Sequence, residues 1–472
     1  MKKNRVICLI LSAVMLLSAL GAGVSAESVD YSASAGCHSE DAAKPLGGGD
    51  KLLDTSKAVI LYELNSGTMV YAYNPDQTIY PSSMVKIMTA LVALENGDLN
   101  SAAVVTRNAL SHVAIGSVSA KLQEGEEISL ESLLYCMIAA SANDAAVVIA
   151  EHIAGSEAAF LEMMNGKAQA LGCTGTHFSN VHGLHDEQTY TTARDVCKIL
   201  TAALENDTFK TIFETEVYTV PATNKSGERR VVTTNYMMSK DYTSKYFDSR
   251  VTGGKTGATD EAGRCLAVTA EVGSMKLLAV VMGAKPTYEE EGISLKTFGS
   301  YEEMKVLLDY AEEKYEFRQI FYENQTFSQY PVAGGANNVV TTPVTPMSTV
   351  LPVNLKQEEL SWVYGDTPAN ITAPVAKGQR IGNMQVWYGD ICIAQSDLVA
   401  MNAVEVWVEP TEPTGPVTHD EDFDGTMIAV VLAVLLGLIL LGLAVFFAVN
   451  AIRRAAARAR RRRRRRNRRR NR

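Results

Sequence analysis

The sequence predicts an α/β domain, with helices packed on an antiparallel sheet, followed by a small all-β domain and a C-terminal transmembrane helix. Three observations carry this prediction. Two pairs of strand-like runs enclose a series of helical patterns. After residue 317 the composition changes to short alternating runs rich in Val, Thr, Pro and Gly. Near the end, residues 426–452 form a long uncharged apolar run.

The α/β domain is expected over residues 50–300. Strands at 58–64 and 68–73 are joined by the hairpin signal Asn65-Ser66-Gly67, and a second hairpin turns at Gly273-Ser274 between 264–272 and 275–282. The last helical pattern between the hairpins begins with Thr192 and Asp195 at the spacing of a capping box. The predicted helices are 83–95, 130–139, 144–154 and 193–205. Strands at both ends, with helices between them, predict one antiparallel sheet covered by helices.

The other segments differ in composition. Residues 27–49 are rich in Ser, Ala and Gly and are predicted to be a flexible leader. Residues 317–410 are predicted to be the all-β domain. Residues 411–425, rich in proline and acidic residues, are predicted to be a linker that leads into the apolar run.

The N-terminus has the pattern of a secretory signal peptide, residues 1–26. Three cations (Lys2, Lys3 and Arg5) precede a short apolar run, and Val24-Ser25-Ala26 places small residues at the cleavage site. That run is short for a membrane span, which needs roughly 20 residues. We therefore expect cleavage after Ala26 and an exported protein.

The apolar run 426–452 is long enough to cross a hydrocarbon core of ~30 Å at ~1.5 Å per residue. Fourteen arginines follow it in residues 453–472, and positive flanks stay in the cytoplasm. We therefore expect a protein anchored to the cell membrane, with everything before the span outside and the arginine tail inside. Because the tail adjoins a span, topology and anionic lipid headgroups explain it more simply than nucleic acid, which we do not expect as a partner.

Charge and cysteine content agree with export. Removing the fourteen tail arginines and the three N-terminal cations from the net charge of −9 leaves −26 for residues 27–452, which favours solubility and says nothing about the fold. Six cysteines remain after the signal peptide, none in a CxxC or a metal-type cluster, and we interpret most as small buried apolar residues: Cys37, Cys136, Cys173, Cys197, Cys265 and Cys392.

Three short motifs carry the predicted chemistry: SxxK (Ser83, Lys86), SxN (Ser141, Asn143) and KTG (255–257). Each occurs once, in this order. A serine hydroxyl is a poor nucleophile until a base removes its proton, and Lys86, one helical turn after Ser83, shares its face. A desolvated lysine near a helix N-terminus can have a lowered pKa and act as that base.

The second and third motifs fit the handling of a peptide. Ser141 can pass a proton to a leaving amine, and Asn143 can both donate hydrogen bonds to and accept them from a peptide backbone. An edge strand at 255–257 can pair with a peptide, where Lys255 and Thr256 supply a charge and a hydroxyl for a terminal carboxylate; Gly257 permits close approach. The alternative is ordinary structure, with helix caps, a solvated lysine and a turn, which is improbable for all three motifs together.

At these residues the chain resembles the low-molecular-mass penicillin-binding proteins that act as D-alanyl-D-alanine carboxypeptidases. Residues 81–90 (PSSMVKIMTA) are similar to that family's active-site helix, 179–184 (SNVHGL) to its Asn-x-His-Gly-Leu loop, and 254–257 (GKTG), with the following 261–263 (EAG), to its strand and turn. The resemblance covers about residues 50–290, and more loosely the β domain, best at 373–379.

The resemblance implies a transpeptidase-like fold shared with β-lactamases. It also implies a substrate, the peptidoglycan stem peptide ending in D-Ala-D-Ala. Ser83 would attack the penultimate carbonyl with Lys86 as base, and the N–H groups of Ser83 and Ala258 would hold the oxyanion. Ser141 would protonate the departing D-Ala, and β-lactam antibiotics would acylate Ser83. No cofactor or metal is implied.

Two departures from the family pattern stand out. Ala142 occupies the middle of SxN, where the family usually has glycine, and the predicted anchor is a full span in place of an amphipathic helix.

Three alternatives stay open: a β-lactamase-like hydrolase, a D,D-endopeptidase that cuts cross-links, and a non-catalytic β-lactam sensor. For His182 and His185 a structural role is favoured over a metal or acid–base role, because serine–lysine chemistry needs no imidazole. The sequence assigns no role to Arg194.

Overall fold

The computed structural model describes residues 44–48, 51–111, 117–240, 245–289 and 295–409. These residues form an α/β domain followed by an all-β domain, as predicted. The described helices, with 3-10 turns at Ser82–Met84 and Gln357–Glu359, are α1 (Val85–Asn96), α2 (Arg107–Ser111), α3 (Leu130–Ile138), α4 (Asn143–Ala154), α5 (Glu157–Ala170), α6 (Ala193–Leu204), α7 (Asp207–Phe213) and α8 (Ser300–Lys314).

The described strands are β1 (Gly47–Gly48), β2 (Ala58–Glu63), β3 (Thr68–Tyr73), β4 (Ala102–Val104), β5 (Glu127–Ser129), β6 (Val217–Val220), β7 (Arg229–Val232), β8 (Val251–Thr259), β9 (Gly263–Val272), β10 (Met275–Ala284), β11 (Thr287–Tyr288), β12 (Leu295–Thr297), β13 (Tyr315–Phe321), β14 (Gln329–Tyr330), β15 (Val332–Ala333), β16 (Val339–Pro343), β17 (Met347–Pro352), β18 (Leu360–Gly365), β19 (Ile371–Thr372), β20 (Arg380–Tyr388) and β21 (Ile391–Ala400).

The α/β domain is built on a six-stranded sheet in the order β1-β3-β2-β10-β9-β8. Its strands pair antiparallel, except that β1 runs parallel to β3. The central strands β2 and β10 are apolar over most of their length because both faces of the sheet are covered. This order leaves β8, the strand that carries the KTG motif, at one edge.

Helices cover the sheet unequally. One face packs on α1 and on α3 to α7, and the other packs on α8. The four predicted helices are present within two residues of their expected ends, and the side chain of Thr192 accepts a hydrogen bond from the N–H of Asp195 at 3.1 Å, as the capping prediction requires. The centre of the helical layer is α1, in which every residue of its first two and a half turns is buried. The fold therefore holds the residues around Ser83 rigidly.

The all-β domain begins with β13, which pairs with β17. Five further strands form a sheet in the order β14-β16-β21-β20-β18. Two small apolar cores fill the domain, one around Phe321 and Met384 and one around Val339 and Val375. The predicted all-β domain is confirmed, with its first strand starting at Tyr315.

The end of the predicted leader needs correction, because part of it is ordered structure. Gly47 and Gly48 pair with Tyr71 and Ala72, so β1 extends the sheet. A Cβ on Gly47 would lie 2.3 Å from the hydroxyl of Tyr315, so the glycine is there for close packing and not for flexibility.

The described cysteines are of two kinds. The thiols of Cys136, Cys173, Cys197 and Cys265 are free and buried, as interpreted from the sequence, whereas Cys392 is disulfide-bonded. Among the described residues no helix is both long and apolar enough to cross a membrane. The predicted signal peptide, span and arginine tail lie outside the described residues.

Candidate active site

Ser83 lies in the 3-10 turn that leads into α1. The preceding Ser82 has a positive φ of 49°, a conformation that non-glycine residues rarely adopt. Gly183, also at positive φ, lies directly against this turn, since a Cβ built on it would be 2.0 Å from the carbonyl oxygen of Ser82. The turn that presents Ser83 is thus held in a strained conformation by the loop that contains Gly183.

Lys86 is fully buried beneath Ser83. Its Nζ lies 3.1 Å from Ser83 Oγ and 2.7 Å from Asn143 Oδ1, and it also donates to the carbonyl oxygen of His182. Burial, and next the positive charge of Lys255, hold the pKa of Lys86 well below its ordinary value; the carboxylate of Asp144 opposes them.

A neutral amine has two N–H groups and one lone pair. Here the two N–H groups of Lys86 would serve Asn143 and His182, and the lone pair would face the hydroxyl of Ser83. This arrangement satisfies every polar atom of the amine and lets it take the serine proton.

Ser141 and Lys255 form a second serine–lysine pair. Ser141 lies in the tight turn between α3 and α4, at a positive φ of 61°, and its Oγ accepts a hydrogen bond from Lys255 Nζ at 2.9 Å. Lys255 is fully buried, and this burial lowers its pKa to about 7. Near neutral pH this lysine can therefore both give and take a proton.

The KTG motif lies in the middle of the edge strand β8. Gly257 lets this edge strand approach the serine turn, since a Cβ there would be 3.1 Å from the carbonyl oxygen of Pro81. The hydroxyl of Thr256 lies 2.6 Å from that of Thr234, and Ala258, next along the strand, is exposed. A strand in this position can accept an extended peptide beside it.

Asn143 begins α4, and the neighbouring Asp144 organises the loop that covers this end of the helix. The N–H of Asn143 donates to the carbonyl of Val118, while the Asp144 carboxylate accepts from the hydroxyl of Ser119 at 2.6 Å and from the N–H of Leu122 at 3.1 Å. The Asn143 side chain is thus held where it can meet both Lys86 and a peptide in the cleft.

The structure brings together the residues predicted from the three motifs. Sequence reasoning missed Thr234 and Asp144, which belong to no motif. It also missed the role of Gly183, although the His-Gly-Leu motif around that glycine was a signal that could have found it. The structural interpretation of His182 agrees with its contacts, since its carbonyl accepts from Lys86 and its Nδ1 accepts from the N–H of Leu184. His185 packs edge-on against Tyr80, with ring centroids 4.7 Å apart.

Two remaining questions from the sequence concern metals and Arg194. Among the described residues, no group of three or more His, Cys, Asp and Glu side chains could hold a metal ion. Arg194 makes an ion pair with Asp76 at 2.6 Å, and that pair explains why it is held in place.

Comparison with known proteins agrees with this geometry. Residues 50–286 match the family described as D-alanyl-D-alanine carboxypeptidase, and residues 315–406 match the C-terminal domain of penicillin-binding protein 5. The D-alanyl-D-alanine carboxypeptidase DacF of Bacillus subtilis is 31% identical over 356 residues, which cover 74% of this chain and 86% of that protein. DacA of Haemophilus influenzae is 31% identical over 358 residues, covering 74% of this chain and 85% of that protein.

Solved structures extend the similarity to both domains. The crystal structures of penicillin binding protein 5 from Haemophilus influenzae match with a TM-score of 0.60 and 30% identity, over 76% of this chain and 100% of that chain. Fold and comparisons together define a serine-type peptidase of the penicillin-binding class. The chain belongs to the D-alanyl-D-alanine carboxypeptidase family, and the β-lactamase, endopeptidase and sensor alternatives are not favoured.

Proposed function

We propose that the chain removes the terminal D-Ala from peptidoglycan stem peptides that end in D-Ala-D-Ala, through an acyl-enzyme on Ser83. The observation that carries the proposal is the buried Lys86 amine, 3.1 Å from the Ser83 hydroxyl and with a lowered pKa. A serine with such a neighbour has a base in place before substrate arrives.

In the acylation step, the Ser83 oxygen attacks the carbonyl carbon of the penultimate D-Ala as Lys86 takes the hydroxyl proton. The negative charge that develops on the carbonyl oxygen is stabilised by the backbone N–H groups of Ser83 and Ala258. Ala258 is exposed on the edge strand β8, a position that suits contact with substrate.

In the departure step, the C–N bond of the tetrahedral intermediate breaks and the amine of the terminal D-Ala takes a proton through Ser141. Lys255, 2.9 Å from Ser141 Oγ, replaces that proton. Lys255 and Thr256 bind the carboxylate of the departing residue, Gly257 gives the peptide room, and Asn143 holds the remaining peptide. Water then hydrolyses the ester on Ser83. β-Lactams acylate Ser83 by the same first step.

A direct assay tests the activity. The purified chain is incubated with a pentapeptide ending in D-Ala-D-Ala, and released D-Ala is measured; a cross-linked dimer in a parallel reaction reports any endopeptidase activity. We expect D-Ala release by the wild type and none by Ser83→Ala, which should also fail to bind a fluorescent penicillin covalently. Undiminished labelling of Ser83→Ala would exclude Ser83 as the nucleophile.

The same proposal includes a location. Residues 1–26 direct export, 426–452 anchor the chain in the bacterial cell membrane, and the 453–472 tail stays in the cytoplasm. The peptidase domain (50–300), the β domain (317–410) and the linker (411–425) then all lie outside the membrane. Protease added to wall-free cells should release a fragment that ends before about residue 426 and leave the tail protected. Digestion of the tail would show that the chain has the opposite orientation in the membrane.

A further inference from the structure

The position of the residue before D-Ala-D-Ala follows from the direction in which the bound peptide must run. In the proposed mechanism the terminal carboxylate lies at Lys255 and Thr256, and the penultimate carbonyl faces the N–H of Ala258. Traced from its C-terminus, the peptide therefore passes along β8 from residue 256 towards residue 259, antiparallel to the strand. At ~3.3 Å per residue, the residue before D-Ala-D-Ala then lies beside the turn between β8 and β9.

Glu261 is at the tip of that turn, and its carboxylate is accessible to a ligand. The turn is fixed by Thr259, whose hydroxyl accepts a hydrogen bond from the N–H of Ala262 at 3.0 Å. The side chain of Glu261 is 44% exposed, and its Oε2 lies 3.9 Å from Nδ1 of His185, too far for a hydrogen bond. An imidazole is charged only when it is protonated, and among the described residues no lysine or arginine forms an ion pair with this carboxylate. Glu261 can therefore accept hydrogen bonds from a bound cation.

The side of the cleft that faces this turn is formed by two rings. His185 packs edge-on against Tyr80, with ring centroids 4.7 Å apart. Tyr80 precedes Pro81, whose carbonyl oxygen lies against β8, and His185 follows a loop in which the Asn180 side chain accepts from the N–H of Gly183 at 2.6 Å. The rings are thus held in place beside the carboxylate at the tip of the turn. A methylene chain can pack on such a surface while its polar end reaches water or a charge.

We infer that this end of the cleft selects, in the residue before D-Ala-D-Ala, a side chain that ends in a primary ammonium, and that Glu261 determines this specificity. The methylene stem of such a diamino acid packs against the rings of Tyr80 and His185, and its ammonium donates to the carboxylate of Glu261. An uncharged side chain gains only the packing. This selection depends on the proposed function, because only a peptide bound along β8 brings that side chain to the turn.

Two pentapeptides test the selection. Both end in D-Ala-D-Ala and have lysine as the third residue, with its Nε free in one and acetylated in the other, so they differ by one charge. Release of D-Ala at low substrate concentration gives kcat/KM, and the slowing of labelling by a fluorescent penicillin reports the binding of each peptide even without turnover. We expect the wild type to favour the free amine about fivefold, which corresponds to about 1 kcal/mol, the upper end for an exposed ion pair. This preference should decrease as salt screens the charges.

Variants of single carboxylates identify the partner of the amine. The ratio of kcat/KM for the two peptides is taken within each enzyme, so the amount of active enzyme cancels. Glu261→Gln should bring the ratio to about one, and Glu261→Lys should bring it below one, because a like charge repels the ammonium. The matched control is Glu271→Gln, which removes one exposed carboxylate near the far end of β9 and should keep the wild-type ratio.

The possible outcomes distinguish a failure of this selection from a failure of the peptidase assignment. A wild-type ratio of one, or an unchanged ratio in Glu261→Gln, would overturn the selection, while release of D-Ala would still support the peptidase. An equal drop in Glu271→Gln would mean that the net charge of the chain attracts the peptide, and it would also overturn the role of Glu261. If neither peptide released D-Ala or slowed labelling by penicillin, the proposed function would fail and the selection would fail with it.

Discussion

The role of Lys86 can be tested by two substitutions that separate its charge from its basicity. Lys86→Arg keeps a positive charge but cannot lose its proton, whereas Lys86→Met is neutral and has no basic atom. If the amine served only as a positive charge near the oxyanion, the arginine variant would retain activity and the methionine variant would lose it. If the amine is the base, both variants lose activity.

The expected loss follows from the geometry. The Lys86 Nζ is 3.1 Å from Ser83 Oγ in a fully buried position, so this amine is placed to take the serine proton directly. A positioned general base contributes roughly a hundredfold to ten-thousandfold, and a hundredfold corresponds to about 2.7 kcal/mol of activation free energy. We therefore expect both variants to be acylated by penicillin at least about a hundredfold more slowly than the wild type.

The assay is the second-order rate of labelling by a fluorescent penicillin, measured from about pH 5 to 10. Burial and the charge of Lys255 lower the pKa of Lys86, so the wild-type rate should rise with pH through that lowered pKa and then level off well below the ordinary lysine range. Melting curves of each variant show whether it folds. Wild-type labelling by a folded Lys86→Arg would refute Lys86 as the base.

Three further predictions use other parts of the site. Gly183→Ala should abolish most penicillin labelling and lower stability by more than Gly155→Ala, because both glycines have positive φ but only Gly183 would drive its Cβ into the Ser82 carbonyl; equal melting temperatures would contradict this. Thr234→Val should slow the release of D-Ala from the pentapeptide about fivefold, equivalent to the loss of one hydroxyl hydrogen bond of about 1 kcal/mol to Thr256, and an unchanged rate would mean that Thr234 does not support Thr256 in binding substrate. The folded pKa of Lys255 is about 7 and its unfolded pKa is about 10.4, so between these values the unfolded chain binds more protons and the free energy of unfolding rises with pH. This rise amounts to roughly 4 to 5 kcal/mol at most. Urea unfolding at pH 6, 8 and 10 should show a flatter rise for Lys255→Met than for the wild type.

The motif residues could be predicted from sequence because regular structure places them. Lys86 follows Ser83 by one helical turn, and Asn143 begins the helix that follows Ser141, so each pair is local. The contact between the two pairs, 2.7 Å from Lys86 Nζ to Asn143 Oδ1, depends on tertiary structure. Only the family resemblance predicts that contact.

The helices and strands that the sequence does not predict lack the periodic apolar patterns and turn signals on which the prediction depends. In α5 the deeply buried side chains are Phe160, Met164 and Ala168, one per turn, among polar and small residues that show little apolar periodicity. Local propensity predicts flexibility for the glycines of β1, whereas the hydroxyls of Tyr310 and Tyr315, distant in sequence, leave no room for a side chain at Gly47. Thr234 likewise meets Thr256 only through the fold.

The chemistry of the site depends on what the fold keeps away from its two lysines. A buried ammonium with a carboxylate partner would stay protonated and could not serve as a base. Asp144 is the acidic residue that acts on Lys86, and its two oxygens are occupied by hydrogen bonds from the hydroxyl of Ser119 and from the N–H groups of Ala120 and Leu122. The atoms that Lys86 contacts are instead a hydroxyl, an amide oxygen and a carbonyl oxygen, and Lys255 meets a hydroxyl and a carbonyl. Burial disfavours the ammonium form of each lysine, and none of these contacting atoms carries a negative charge that would offset it, so the pKa of both lysines is lowered.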